Sequence, residues 1–142
     1  MKVESIILGE ERAQALAQYP HAKRVGNLLF LSGVSSRRAD NTHEGVTIHA
    51  DGRVDKDIAA QTQGVIRNMR SILQAAGLEL EHLVDMTTFL ISMDDFPGYN
   101  AVYNQHFAKS SGPARTTVAV SQLPHPNLLI EMKGIAVFPD ED

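Results

Sequence analysis

From Asp57 to Gly77 the chain carries a helical period: Ile58, Thr62, Val65, Met69, Ile72 and Ala76 fall on one face. Asp55 or Asp57 is available as the N-cap and Gly77 as the residue just past the end. A helix with one apolar stripe must lay it against another layer, and the flanking runs say what that layer is. Leu28 to Ser32, bounded by Gly26-Asn27 and Gly33, reads as a buried strand. Val84 to Ser92, VDMTTFLIS, is rich in β-branched residues and reads as another. Residues 114–121, ARTTVAVS, and 128–138, LLIEMKGIAVF, read as two more that can pair antiparallel across the loop Gln122 to Asn127. Val46-Thr47-Ile48, closed by the Asp51-Gly52 turn pair, is a short candidate strand.

A second helix follows Asp94 or Asp95, holds Pro97 in its first turn, and repeats Phe96, Tyr99, Tyr103 and Phe107 before Ser110-Ser111-Gly112-Pro113 stops it. The element order is therefore β(β)αβαββ, an α+β arrangement. Two helices cover one face of such a sheet, yet several strands are apolar on both faces. A second copy of the chain is expected to supply the missing layer, which makes a homo-oligomer.

The 142 residues suit one domain, 1–142, and no repeat, low-complexity tract or linker divides them. Thirteen Lys and Arg against seventeen Asp and Glu give a net charge of -4, so no global basic field holds nucleic acid or an anionic membrane. There is no cysteine, which removes disulfides, thiol nucleophiles and Cys-based zinc sites together and fits a reducing cytosol. The N-terminus, MKVESIILGEERAQ, meets Glu10 and Glu11 where a signal peptide needs a continuous apolar region. A soluble, cytoplasmic protein is expected.

Chemistry is sought among charged residues inside apolar strands. Arg115 shares a strand face with Thr117 and Ala119, and Glu131 sits between Ile130 and Met132. Such groups are costly in adjacent interior strands unless they are paired or used. Either they form a structural ion pair with each other or with Lys133, or Arg115 grips a substrate carboxylate while Glu131 handles a proton or a water. Asn100, beside the aromatic stripe of the second helix, Tyr19, ahead of Pro20, and Ser32, next to Gly33, are weaker polar candidates with ordinary structural explanations. The six histidines form no HxH or HExxH pattern, so no metal is expected. Neither GxGxxG, GxxxxGK[ST] nor GxSxG occurs, so neither a nucleotide cradle nor a serine-hydrolase elbow is supported.

Gly112 to Val137, GPARTTVAVSQLPHPNLLIEMKGIAV, resembles the C-terminal signature of the RidA-like (YjgF-type) reactive-intermediate deaminases. YPHAKRVGNLLFLSG, DIAAQTQGVIRNMRSILQAAGL and DDFPGYNAVYNQHF extend that likeness over nearly the whole chain. The resemblance implies a chorismate-mutase-like fold, with two helices on one face of a sheet, a trimer around a β-barrel core, and ligand sites between subunits. It implies cofactor-free, metal-free hydrolysis of an enamine or imine to a carbonyl compound and ammonia. By the same likeness Arg115 binds the carboxylate beside the imine carbon and Glu131 positions and deprotonates the attacking water. Tyr19, Ser32, Gly33, Asn100 and the backbone at Thr117 line the pocket. The family often has cysteine where Thr117 stands, so a thiol near the ligand has no support in this chain.

Ser35 to Asp55, SSRRADNTHEGVTIHADGRVD, departs from the shorter family members and is similar to the 2-aminomuconate deaminases. Their substrate is a six-carbon diacid, and a diacid needs a second carboxylate site. Arg37 and Arg38 are the candidates, acting from their own chain or from its neighbour. The plain alternative is a solvated pair, or one matched to Asp40 or Glu44. Extended backbone points adjacent side chains in opposite directions, so at most one of the two faces the ligand. A general short-chain imine deaminase and a non-catalytic metabolite-binding module are the competing readings.

Overall fold

The computed structural model describes residues 1–140. The chain begins with three strands, β1 (Val3–Ile6), β2 (Ala22–Val25) and β3 (Leu28–Leu31), followed by a small hairpin of β4 (Val46–Ile48) and β5 (Val54–Lys56). Then come α1 (Ile58–Ala75), β6 (Leu83–Leu90), α2 (Phe96–His106), β7 (Ala114–Ala119) and β8 (Ile130–Val137). The main sheet runs β1-β2-β3-β8-β6-β7, antiparallel throughout except that β6 and β7 are parallel. The result is an α+β fold with two helices packed on a mixed sheet.

Both helices form where their apolar periodicity lies. Asp57 is the N-cap of α1, its carboxylate accepting the Ala60 N–H at 3.2 Å, and Gly77 follows the last turn at φ 81°. Asp95 precedes α2 without a side-chain cap, whereas Ser92 Oγ accepts the Asp94 N–H in the turn before it. Val65, Ile66, Met69, Ile72 and Leu73 of α1 meet Leu29, Leu31, Met86, Leu90 and Met132 of the sheet in the core. Tyr99, Val102 and Tyr103 extend the same core under α2.

The opposite sheet face lacks such cover: Phe30 is 40% exposed and Val118 40%, with Phe89 and Ile135 half-buried between them. No helix among the described residues is long and apolar enough to cross a membrane.

Two expectations are corrected. The last two strands do not pair with each other: β6 lies between them, because after α2 the chain crosses back over the sheet and lays β7 parallel to β6 at the edge. The element order also starts with a hairpin that the apolar pattern did not reveal. Strands β1 and β2 carry Glu4, Lys23 and Arg24 on an outer ladder, and so few of their residues are buried that their sequence reads as loop.

Candidate functional site

The strand register separates the two charged residues that the sequence put forward. Arg115 is paired with Met86, which is paired in turn with Gly134, so Arg115 faces the helices. Glu131 is paired with Phe89, itself paired with Val118, and therefore points to the open face. The expectation of adjacent interior strands fails, since β7 is an edge strand and β6 intervenes. Within one chain Arg115 and Glu131 lie on opposite sides of the sheet, and neither has an ion-pair partner among the described residues.

Arg115 is held by α2. Its guanidinium carbon lies 4.6 Å from the Tyr103 ring centroid, 4.9 Å from that of Tyr99 and 5.7 Å from that of Phe96, a cation–π cradle that fixes the side chain while leaving its N–H groups unspent. The cradle is itself anchored, because the buried Tyr99 hydroxyl and Thr88 Oγ1 share a 2.6 Å hydrogen bond. Burial and the neighbouring Tyr99 push the Tyr103 hydroxyl pKa up, and Arg115 opposes them. Two further polar atoms are buried here without a partner among the described residues: Asn100 Oδ1, on the α2 face that carries the rings, and Thr117 Oγ1, next along the Arg115 face of β7. The unpaired cation can take a carboxylate, while the unpaired Asn100 Oδ1 is an acceptor that needs an N–H or O–H donor, so the place suits a ligand carrying both.

The other group surrounds a cavity of about 150 Å³, roughly ten times the ~15 Å³ that admits one water. Tyr19, Ser32, Gly33, Arg37 and Glu131 line it. Gly33 is required there by proximity: a Cβ at this position would stand 2.7 Å from Glu131 Oε2. Ser32 closes the end of β3, its Oγ donating to Pro20 O at 2.8 Å and its N–H to His21 O at 3.0 Å. His21 in turn secures the segment before it, accepting the Leu8 N–H on Nδ1 at 3.2 Å and donating from Nε2 to Ala13 O at 2.7 Å. Burial pushes the Glu131 carboxyl pKa above the usual range, and Arg115 does nothing within the chain to oppose it. Raised proton affinity of that kind suits a carboxyl that must take a proton and return it.

The arginine loop resolves into a tight hairpin. Arg37 and His43 stand opposite each other, and the turn from Arg38 to Thr42 is closed through Asn41 at φ 69°. Asn68 on α1 donates to Ser35 O at 2.9 Å and Arg37 O at 3.0 Å, and Arg67 grips Glu44, so the loop is fixed to the helix. Gly45, at φ 81°, lets the loop end against the first turn of α1, where a Cβ would meet Asp57 O at 2.8 Å. Neither acid that was a candidate partner pairs with Arg37. Glu44 is taken by Arg67, and the Asp40 carboxylate accepts from Thr42 N at 2.9 Å and Thr42 Oγ1 at 2.6 Å, which lowers its pKa. Arg37 instead donates to Asn41 Oδ1 at 2.8 Å and to Gln14 O, two neutral acceptors, and lines the cavity. Arg38 is exposed, reaches Thr42 Oγ1 at 3.3 Å, and does not line it.

The site residues thus fall into two sets: Arg115, Asn100 and Thr117 beneath α2, and Tyr19, Ser32, Gly33, Arg37 and Glu131 around the cavity. Sequence reasoning missed the cavity residues Arg12, Asn68, His43 and His125. The two histidines come from loops far apart in the chain, so no local spacing could have marked them.

Comparison with known proteins identifies the arrangement. A family model described as Endoribonuclease L-PSP matches residues 9–138. A RutC family protein of Pyrococcus abyssi is 35% identical over 134 residues, covering 94% of this chain and 96% of that protein. A protein of Dermatophagoides farinae named 2-iminobutanoate/2-iminopropanoate deaminase is 30% identical over 138 residues, covering 97% and 99%. The crystal structure of yeast YEO7 superposes with a TM-score of 0.82 at 33% identity, over 97% of this chain and 100% of that one. With two helices on a mixed sheet of the same kind and a match along almost its full length, this chain belongs to the RidA/YjgF family.

Proposed function

We propose that this protein hydrolyses a carboxylate-bearing enamine or imine to the carbonyl compound and ammonia, without a cofactor, and that its substrate is the six-carbon diacid 2-aminomuconate. The observation that carries the reading is the pair of uncompensated groups: an Arg115 preorganised by aromatic rings and a Glu131 whose proton affinity is raised by burial. Because they lie on opposite faces of one sheet, the reaction needs two copies, the cradle of one protomer closing the cavity of its partner. A trimer, alone or doubled, with sites between subunits suits this need, and its packing also covers the open sheet face with Phe30 and Val118.

Arg115 takes the carboxylate next to the imine carbon and orients that carbon toward the Glu131 cavity. Glu131 accepts a proton from water as the oxygen forms its bond to carbon. That proton goes to nitrogen, giving the carbinolamine; Glu131 then takes the hydroxyl proton and passes it to the same nitrogen as the C–N bond breaks, so that ammonia leaves with the carbonyl product. The electrophile is already activated as the imine, so the protein supplies orientation, one water and a proton relay. Asn100 and Thr117 meet the substrate from the Arg115 side, Tyr19, Ser32 and Gly33 from the other.

The diacid assignment rests on Arg37, a loop cation without a carboxylate partner among the described residues and facing the cavity. The relative from Dermatophagoides farinae, named for short monocarboxylate imines, favours the broader alternative of a general imine deaminase. The nuclease description of the family model finds no matching basic field in a chain of net charge -4.

Ammonia release from freshly generated 2-aminomuconate and from 2-aminoacrylate, compared at steady state, is the test. A higher kcat/KM for the diacid is expected. Preference for the monoacid refutes the diacid assignment, and no ammonia from either substrate refutes the deaminase reading.

A further inference from the structure

The cavity that holds Glu131 has a second polar wall, which the deamination chemistry does not use. His43 stands opposite Arg37 in the loop hairpin, and paired residues of such a ladder project to one side. His125, from the loop before β8, brings its ring to 4.5 Å from that of His43, centroid to centroid, at an interplanar angle of 44°. All three side chains line the cavity.

The hydrogen-bond inventory of this wall is one-sided. Arg37 spends one N–H of each terminal nitrogen on Asn41 and Gln14, which leaves three of its five donors. His125 accepts the Asn127 N–H on Nδ1 at 3.1 Å, which puts its proton on Nε2 as a free donor. His43 is buried, 7% exposed, and its ring makes no hydrogen bond among the described residues. Burial, His125, Arg37 and Arg38 all hold its pKa down, and two of those neighbours, Arg37 and Arg38, are permanent cations. No third His, Cys, Asp or Glu joins the pair in a metal-binding group among the described residues. Arg37 and His125 thus bring free N–H donors to a stretch of wall to which none of the three residues contributes a carboxylate, an arrangement that an anion complements.

We propose that Arg37, His43 and His125 form a second anion subsite, which receives the terminal carboxylate of an unsaturated dicarboxylate whose other end lies at Glu131. The assignment rests on the diacid reading above for its biological substrate, and it extends that reading from one arginine to a three-residue receptor. An entering carboxylate relieves the positive crowding around His43 and gives each free N–H an acceptor. Asn68 is a positioning residue here: both its amide hydrogens are spent on the loop carbonyls of Ser35 and Arg37.

Two unreactive probes separate this subsite from the chemistry. trans,trans-Muconate and sorbate share a six-carbon diene chain and one carboxylate; muconate ends in a second carboxylate where sorbate ends in methyl. Calorimetric titration of the wild-type protein is expected to give an affinity for muconate about tenfold to a hundredfold above that for sorbate, the range of a charge-assisted contact. His43→Leu keeps the bulk without a donor, and His125→Asn keeps the acceptor for Asn127 N–H without the Nε2 donor; each is expected to bring the ratio close to one. A wild-type ratio near one, a ratio untouched by both variants, or loss of both ligands in both variants overturns the subsite. Because no ammonia is measured, failure of the deaminase reading leaves this result standing. Failure of the subsite likewise leaves 2-aminoacrylate turnover unaddressed.

Discussion

The opposite facing of Arg115 and Glu131 can be turned into a quantitative experiment. Arg115→Met keeps an apolar stem against the Tyr99 and Tyr103 rings and removes the charge, while Glu131→Gln removes the proton carrier at nearly constant volume. Each variant alone is expected to release no ammonia above background. Co-expressed in equal amounts, they assemble at random. A site that draws its arginine from one copy and its glutamate from the next is intact when the first is the Glu131→Gln chain and the second the Arg115→Met chain, which recovers about one quarter of wild-type activity. If both groups served a site within a single chain, no combination would restore it and recovery would be nil. A mixture of wild type with the double variant is the control, retaining about a quarter of the activity for shared sites and about half for separate ones. Ammonia release per subunit, with the ratio of chains fixed by mass spectrometry, is the assay. Absence of recovery from properly assembled single variants, together with half-retention in the control, refutes the reading of the sheet as carrying two half-sites.

Two further outcomes follow from the cavity. Burial raises the Glu131 pKa in the folded chain, so its contribution to stability is complete below the ordinary carboxylate range and is lost as pH climbs through the raised value. Glu131→Gln is therefore expected to melt above wild type at about pH 8 and to converge with it toward about pH 4, as followed by scanning calorimetry; a variant less stable at the higher pH refutes desolvation as the dominant influence. Gly33→Ala places a methyl 2.7 Å from Glu131 Oε2, and that carboxyl end can swing aside. The melting temperature is expected to hold while kcat falls by roughly tenfold to a hundredfold, the cost of displacing a reacting group by about an ångström. An unchanged kcat contradicts the placement of Glu131 in the reaction.

Much of the helix-facing layer was legible in the sequence, because periodicity records burial. The α1 stripe, its Asp57 cap and the residue after its end all stand where the 3.6 period puts them. The first two strands were not legible: an edge ladder bearing Glu4, Lys23 and Arg24 leaves no alternation to read. Strand order was lost for another reason. Short apolar runs report that residues are buried and say nothing of which strand lies beside which, so β7 and β8 looked like a hairpin until the register placed β6 between them. At the site, unusual charges in apolar strands flagged Arg115 and Glu131. Which faces they occupy depends on that strand order and could not be read. His43 and His125 carry no local signal, since their meeting is made by two loops and a cavity.

The attachment of the arginine loop to α1 reaches beyond the loop. Asn68 and Arg67 make Arg37 travel with the helix, whereas Glu131 travels with the sheet. The cavity is then a gauge whose two jaws belong to different layers of the fold, and the Val65 and Met69 side chains, packed beneath α1 and outside the cavity wall, help to set its opening. The chain length that such a pocket accepts is written in the core, and a methylene gained or lost beneath α1 resets the gauge without touching a single residue of the pocket wall.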